Sequence, residues 1–153
     1  NDEGAVSVVI HSGETDILID EDDIANILRT KAAIYAGCSV LLNSVDLTFG
    51  DVDRVFIAGG FGSHIDVANA QLIGLLPDLP RERFEFIGNG SLGGARMTLL
   101  SADARRAARS IFDSMTYLDL SSSSTFFDQY SSALFLPHTD LDQFPSVRAR
   151  LKR

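Results

Sequence analysis

The sequence is poor in the residues on which several classes of protein depend. Of its 153 residues only Cys38 is a cysteine, which excludes an internal disulfide and leaves no cysteine set for zinc or an iron–sulfur cluster. The histidines are scattered along the chain, so no metal site is expected. A run of about 18 apolar residues is missing, and the first residues are acidic where a signal peptide is basic. We therefore expect a cytoplasmic protein that neither enters a membrane nor is exported.

Basic residues are also too few for a nucleic-acid surface. The formal net charge is -8, whereas phosphate binding depends on clustered lysine and arginine. Arg105, Arg106 and Arg109 lie together in one helical stretch, and RARLKR ends the sequence. We interpret the first group as a solvated helix face and the second as a frayed terminus.

The hydrophobic content of 45% is enough for one globular domain with a real core. Strand patterns alternate with helical ones, which predicts an α/β domain with a mostly parallel sheet flanked by helices. Strands are predicted within residues 4–12, 17–20, 54–58, 84–88 and 116–120. Helices are predicted from the acids at 20–23 to about residue 45, then within 67–74, 95–101, 102–115 with a continuation or kink near Ser101, and 121–135.

Lys31 falls inside the apolar stripe of the first predicted helix. A lysine there either snorkels from the edge of the core or points into a cleft. The sequence leaves both interpretations open.

Two glycine clusters each follow a predicted strand, where an α/β sheet places its ligands. The first contains Gly59, Gly60, Phe61 and Gly62. Without Cβ atoms, this backbone can turn sharply and let a flat or charged group lie against it. The alternative is a tight turn from strand to helix that binds nothing.

The second cluster, residues 88–93, has the pattern G-x-G-x-x-G between a strand and a helix. With Asp119 at the end of the next predicted strand, it has the layout of a dinucleotide-binding unit, although Asp119 lies further along than that motif requires. A G-x-x-x-x-G-K-[ST] phosphate loop is absent from the sequence.

The ordered motifs AGGFG, IGLLPD and GN-x-x-LGGA resemble the carboxyl-terminal segment of the ATP-dependent reductive activators of corrinoid proteins. The resemblance covers about residues 15 to 147. These are ferredoxin-like proteins with an ATPase domain of the actin, sugar-kinase and heat-shock superfamily. The resemblance implies a ribonuclease-H-like, actin-like ATPase lobe at 15–135, preceded by a leading strand and turn at 1–14. The pattern of residues 136–153 predicts a surface tail pinned by Leu136, Leu141 and Phe144.

The same resemblance implies which residues contact ATP or ADP. The strand with its glycines is similar to the adenosine-binding element of the superfamily, so Gly59, Gly60, Phe61 and Gly62 are the nucleotide-contact candidates. Gly88, Asn89 and Gly90 would line the same cleft or allow close packing of helix on strand. Lys31 would approach the cleft from the long helix.

The sequence departs from the family pattern in two ways. The four cysteines of the amino-terminal [2Fe-2S] domain and the D-x-G-T phosphate loops are absent, so the chain resembles a truncated piece that holds adenosine but not phosphates and Mg²⁺. By resemblance, the intact protein would couple ATP to reduction of a Co(II) corrinoid protein to Co(I) for methyl transfer, and this piece alone would be inactive. The alternatives are a module that docks a corrinoid protein or dimerises, and a dinucleotide-binding unit.

Overall fold

The computed structural model describes residues 6–60, 62–120 and 122–152; strands and helices are interleaved up to residue 100, and only helices follow. The strands are β1 (Ser7–His11), β2 (Ile17–Asp20), β3 (Val55–Ala58) and β4 (Phe84–Gly88). The helices are α1 (Glu21–Asn43), α2 (Val67–Leu72), α3 (Gly90–Leu100), α4 (Ala102–Ser114), α5 (Ser124–Ala133) and α6 (Pro145–Leu151). None of these described helices is long and apolar enough to cross a bilayer.

The long helix α1 begins where its acids predict. The backbone N–H of Asp23 donates to the Asp20 carboxylate over 2.8 Å, and the N–H of Asp20 donates back to Asp23 over 3.2 Å. This reciprocal capping box satisfies two N–H groups that a helix start leaves without a partner. Asp66 and Ser123 likewise cap α2 and α5, by accepting the backbone N–H groups of Asn69 and Phe126.

The four strands form two pairs. β1 and β2 are antiparallel, whereas β3 and β4 are parallel with Val55 opposite Phe84. The α/β class with a parallel sheet flanked by helices is therefore confirmed, and the first two strands form an antiparallel pair beside it. Because parallel strands end at the same edge, the β3–β4 pairing fixes where the two glycine clusters lie.

The core has two parts, and aromatic side chains dominate the larger. The Tyr35 ring lies 5.1 Å from that of Phe49 and 5.3 Å from that of Phe144, in contact with Ala133 and Val147. The smaller part packs the start of α2 against β4 through Val67, Leu79 and Phe84.

The C-terminal segment is part of this core, so the prediction of a surface tail at 136–153 is wrong. Pro137 is fully buried, Phe144 is 0% exposed and Val147 is 2% exposed. Of the three side chains expected to pin the segment, Phe144 does so, but Leu136 is 57% exposed. The prediction of a surface tail was based on the polar residues that separate the apolar ones. The apolar side chains that face α1 and α5 are nevertheless buried.

Asp78 attaches α6 to the rest of the domain. Its carboxylate accepts the backbone N–H of Ser146 at 2.7 Å and the Ser146 hydroxyl at 2.6 Å.

We expect Asp78→Ala to lower the free energy of unfolding by about 1 kcal/mol, the usual effect of losing a helix cap. Ser146→Ala keeps the backbone bond, so urea unfolding should show a smaller loss; equal losses would contradict the capping role.

The prediction of a strand at 116–120 is wrong. Residues 116–120 pair with no strand in the described part of the chain, and Tyr117 is 86% exposed. Alternating side chains make a strand only where a neighbouring strand satisfies the backbone groups. Of the two alternatives near Ser101, a continuation and a kink, the continuation is wrong, since Ser101 is extended and caps α4 by accepting the N–H of Ala104.

Candidate functional site

The parallel pairing of β3 and β4 joins the two glycine clusters at one edge of the sheet. The backbone N–H of Gly59 donates to the carbonyl oxygen of Gly88 over 2.7 Å. The register shifts at this point, with Ala58 rather than Gly59 opposite Gly88. The two glycine clusters therefore lie next to each other at one edge of the sheet.

Both joined glycines have a backbone conformation that favours glycine. Gly59 has φ 97° and Gly88 has φ 61°, in the left-handed region that costs an L-residue roughly 1–2 kcal/mol. A Cβ atom placed on either would meet nothing within 4 Å. Space therefore lies beside the backbone at both positions, and a bound group can rest directly on the main chain.

The remaining candidate glycines divide into one open position and two packed ones. Gly60 is exposed, and a Cβ there would meet nothing within 4 Å. At Gly62 a Cβ would lie 2.7 Å from Cγ2 of Ile57, and at Gly90 it would lie 3.3 Å from Cδ1 of Ile87. The missing side chains at Gly62 and Gly90 thus make room for the strands' own isoleucines, which corrects the idea that Gly62 creates space for a ligand.

Asn89 connects the second cluster to α3. Its side-chain oxygen accepts the N–H of Leu92 at 3.0 Å and so caps the helix. The helix starts at Gly90, directly after the sheet edge. A helix start directs backbone N–H groups and a partial positive charge outward, which suits an electron-rich group at this edge.

The two other candidate residues are Phe61 and Lys31. Phe61 lies outside the described residues. Lys31 is 1% exposed, so the interpretation that it snorkels is wrong; its ammonium donates to the carbonyl oxygens of Phe135 and, over 2.6 Å, of Pro137. Burial lowers the pKa of Lys31 to about 8. No contact in the described part of the chain joins Lys31 to the glycines, and its amine holds the C-terminal segment instead.

A polar pocket lies near His138, and the sequence did not indicate it. It measures about 320 Å³ and lies between α1, α5 and the C-terminal segment. Nδ1 of His138 accepts the N–H of Asp140 at 3.0 Å, and burial lowers the pKa of this histidine. Within the described residues, no group of three His, Cys, Asp or Glu side chains comes together to hold a metal ion.

The dinucleotide-binding alternative loses the acid that it needs. That alternative requires Asp119 at the end of a strand, but 116–120 is not a strand, and the Asp119 carboxylate accepts the hydroxyl of Ser122 at 3.0 Å. What remains at the sheet edge is open glycine backbone followed by a helix start.

Comparisons with known proteins agree on one family. Residues 1–148 match the family described as the C-terminal domain of RACo, the ASKHA domain. The corrinoid activation enzyme RamQ of Eubacterium limosum is 36% identical over 126 residues, which is 80% of this chain and 21% of that protein. A solved structure named as a reductive activator for corrinoid, iron-sulfur protein matches with a TM-score of 0.84 and 48% identity, covering 92% of this chain and 23% of that one. The chain thus spans about a fifth to a quarter of these relatives.

Proposed function

Because the chain belongs to the family of the C-terminal ASKHA domain of RACo, we propose that it supplies the adenosine-binding side of an ATPase domain. The observation that carries the proposal is the joining of two glycine clusters, through the Gly59 to Gly88 hydrogen bond, beside unfilled space. Gly59, Gly60 and Gly88 provide bare main chain on which a purine nucleoside rests. Gly62 and Gly90 hold that surface in place by packing, and Asn89 does so by capping α3. Phe61, from the first cluster, is a further proposed contact of the nucleotide.

The phosphates of ATP or ADP require groups that this sequence lacks. Phosphoryl transfer depends on a metal ion and on phosphate-cradling groups that position and neutralise the γ-phosphate. The D-x-G-T loops that would supply them are missing from the sequence. The 153-residue chain therefore binds the nucleoside portion and leaves hydrolysis to a larger assembly that holds Mg²⁺ and the phosphates.

For the whole protein we propose an ATP-dependent activator of corrinoid proteins; the names of the relatives support the corrinoid activation, and the ASKHA family supports the use of ATP. In this proposal a [2Fe-2S] centre elsewhere in the protein delivers the electron that converts an inactive Co(II) corrinoid to Co(I). Closure of the ATPase lobes around nucleotide changes the surroundings of the partner's cobalt, as closure steps do in other enzymes. The corrinoid protein is the partner, and the 153-residue chain contributes the nucleotide-binding step.

Gly60→Val tests the nucleoside surface. We expect it to abolish ADP binding measured by calorimetry and the ADP-induced shift of the residue 60 amide in NMR spectra, because the new side chain fills the space beside Gly60. Adenosine should bind nearly as well as ADP, since the phosphates contribute little in this chain.

The matched control is Gly50→Val. Gly50 is also an exposed glycine, but it precedes β3 in the sequence, whereas Gly60 follows β3. This variant should bind ADP as the unchanged chain does. An unchanged chain whose residue 60 amide does not respond to saturating ADP would refute the proposal, and so would a preference for NADH.

A further inference from the structure

The polar pocket beside α1 and α5 is lined by groups that make hydrogen bonds but carry almost no charge. Its volume of about 320 Å³ is at the lower end of the range for small-molecule sites. Four hydroxyls, three amides, one carboxylate and one imidazole line it, and none of the described lining residues is a lysine or an arginine. We define the His138 pocket by six of its lining residues: Asn43, Gln129, Ser132, His138, Thr139 and Asp140.

Several of these polar groups have no partner within the chain. Among the described residues, the side chains of Asn43, Ser132 and Thr139 make no hydrogen bond. Oε1 of Gln129 accepts the Ser39 hydroxyl over 3.4 Å, which leaves the NH₂ group of Gln129 available. Donors and acceptors from α1, α5 and the C-terminal segment therefore converge on one space without satisfying each other.

His138 adds a buried donor to this space. The residue is 7% exposed, and its Nδ1 accepts the N–H of Asp140, so Nε2 carries the proton of the neutral ring. Nε2 is the one buried side-chain nitrogen or oxygen atom, in the part of the chain that the structure describes, that has no hydrogen-bond partner. Buried polar atoms are nearly always paired, so this donor indicates an acceptor that comes from outside the chain.

The charge of the pocket favours a neutral ligand. The Asp140 carboxylate already accepts the N–H of Asp142 at 3.0 Å and the side-chain amide of Gln143 at 3.3 Å. An anion would face this carboxylate with no cation in the described lining, and a cation would meet a carboxylate that is already hydrogen-bonded. A hydroxyl both donates and accepts, so it can pair with each of the amides and hydroxyls present.

We propose that the His138 pocket binds a small neutral polyol, such as a six-carbon sugar or cyclitol. Asn43, Gln129 and Asp140 bond its hydroxyls, and one of its oxygen atoms accepts from Nε2 of His138. Nε2 has almost no exposed surface, so that last contact requires a small movement of the ring or of the pocket wall. Leu42 contributes an apolar contact for the carbon skeleton.

The pocket lies at the other end of the parallel strands from the glycine clusters. Thr48 and Phe49 line it and precede β3. Arg83, just before β4, donates to the carbonyl oxygens of Gly50 at 3.0 Å and Val52 at 2.8 Å, in the same loop. The glycine clusters follow β3 and β4, so polyol binding and nucleotide binding are separate properties of the chain.

NMR titration of the 153-residue chain with myo-inositol and with D-glucose tests the pocket. At least one of them should shift the side-chain signals of Asn43, Gln129 and His138 saturably, with a dissociation constant of about 1 mM. The NH₂ signals of Asn69, exposed on α2, should not move. No saturation with either polyol below about 100 mM overturns the proposal.

Charged probes test the choice of a neutral ligand. Glucose 6-phosphate, an anion, and putrescine, a dication, should both bind more weakly than the better polyol, because the lining neither neutralises an anion nor offers a free carboxylate. Equal or tighter binding of either charged probe overturns the proposal.

Alanine variants connect the binding to the pocket. Asn43→Ala and Gln129→Ala, made singly, should each weaken polyol binding about fivefold, the usual effect of losing one hydrogen bond. Asn69→Ala is the matched control and should bind as the unchanged chain does. If neither pocket variant binds more weakly than the control, the proposal is overturned.

Two further measurements separate this site from the nucleotide surface. Gly60→Val should bind the polyol as the unchanged chain does, and saturating ADP should not displace the polyol. Displacement by ADP would mean that the polyol occupies the glycine edge in place of a ribose, and it would overturn the proposal. Loss of ADP binding alone affects only the proposed function, so the two failures are distinguishable.

Discussion

Gly74→Ala is expected to lower the free energy of unfolding by about 3 kcal/mol or more. Gly74 has φ 77°, where an L-residue costs roughly 1–2 kcal/mol. A Cβ atom there would also overlap the carbonyl oxygen of Pro137 and lie 2.9 Å from its carbonyl carbon. These are backbone atoms of a buried residue, so no side-chain rotation relieves the clash, and overpacking adds roughly 1–3 kcal/mol.

Urea unfolding followed by circular dichroism measures this loss. Gly50→Ala is the control, because its nearest neighbour would be the Thr48 hydroxyl at an ordinary 3.5 Å and its φ is not in the left-handed region. The control should change stability by less than about 0.5 kcal/mol. If Gly74→Ala unfolds at the same urea concentration as the control, then Gly74 does not support the Pro137 segment.

Gly74 lies where the end of α2 meets the C-terminal segment. It follows α2, which begins after the first glycine cluster at Asp66. On its other side lies Pro137, whose carbonyl oxygen also accepts a hydrogen bond from Lys31. The C-terminal segment therefore lies between α1 and the end of α2.

Local signals predicted most of the framework. The acids at 20–23 form the capping box of α1, and the pattern of β3 and β4 placed both glycine clusters at strand ends. These features depend on residues within one turn or one strand of each other. A sequence contains that information directly, because capping and periodicity act between neighbours.

Contacts between distant residues account for the errors. Lys31 donates to residues 104 and 106 positions further along the chain, and no local pattern indicates such a partner. The burial of Phe144 likewise depends on where Tyr35 lies. The strand predicted at 116–120 had a suitable pattern, but a strand also needs a partner, which its own residues do not encode.

Within the candidate site, the sequence located the glycines but could not assign their separate tasks. Gly60 and Gly62 are two positions apart and look equivalent in the sequence. Only the position of Ile57 shows that Gly62 is required for packing whereas Gly60 stands beside open space. The distinction sets which substitution tests ligand binding and which would mainly damage the fold.

Lys31→Ala is expected to lower the free energy of unfolding by about 3 kcal/mol at pH 7. The lysine is 1% exposed, and its removal leaves the Phe135 and Pro137 carbonyl oxygens without their donor. An unsatisfied buried polar group costs roughly 1–3 kcal/mol, and the lost side chain leaves a cavity as well. Lys31→Met fills most of that cavity, so urea unfolding should show a smaller loss. A change below about 0.5 kcal/mol in Lys31→Ala would contradict the structural role.

The buried amine also makes stability depend on pH in a defined direction. Burial lowers the pKa of Lys31 from 10.5 to about 8, so between these values the unfolded chain binds more protons than the folded one. Stability from this group therefore increases as the pH rises from 8 towards 10.5 and is lost as the pH falls through 8. Burial also raises the pKa of Cys38, and it raises that of Tyr35 to about 12, so both titrate with the opposite sign.

Comparison with Lys31→Met isolates the lysine, because Tyr35 and Cys38 are common to both proteins. From pH 7 to pH 9.5, the unchanged chain should gain about 2 kcal/mol of unfolding free energy relative to Lys31→Met. Urea unfolding of both proteins at the two pH values measures the difference. A constant difference would mean that the two carbonyl oxygens hold the proton on Lys31 as firmly as water does, and a decrease would mean that they raise its pKa.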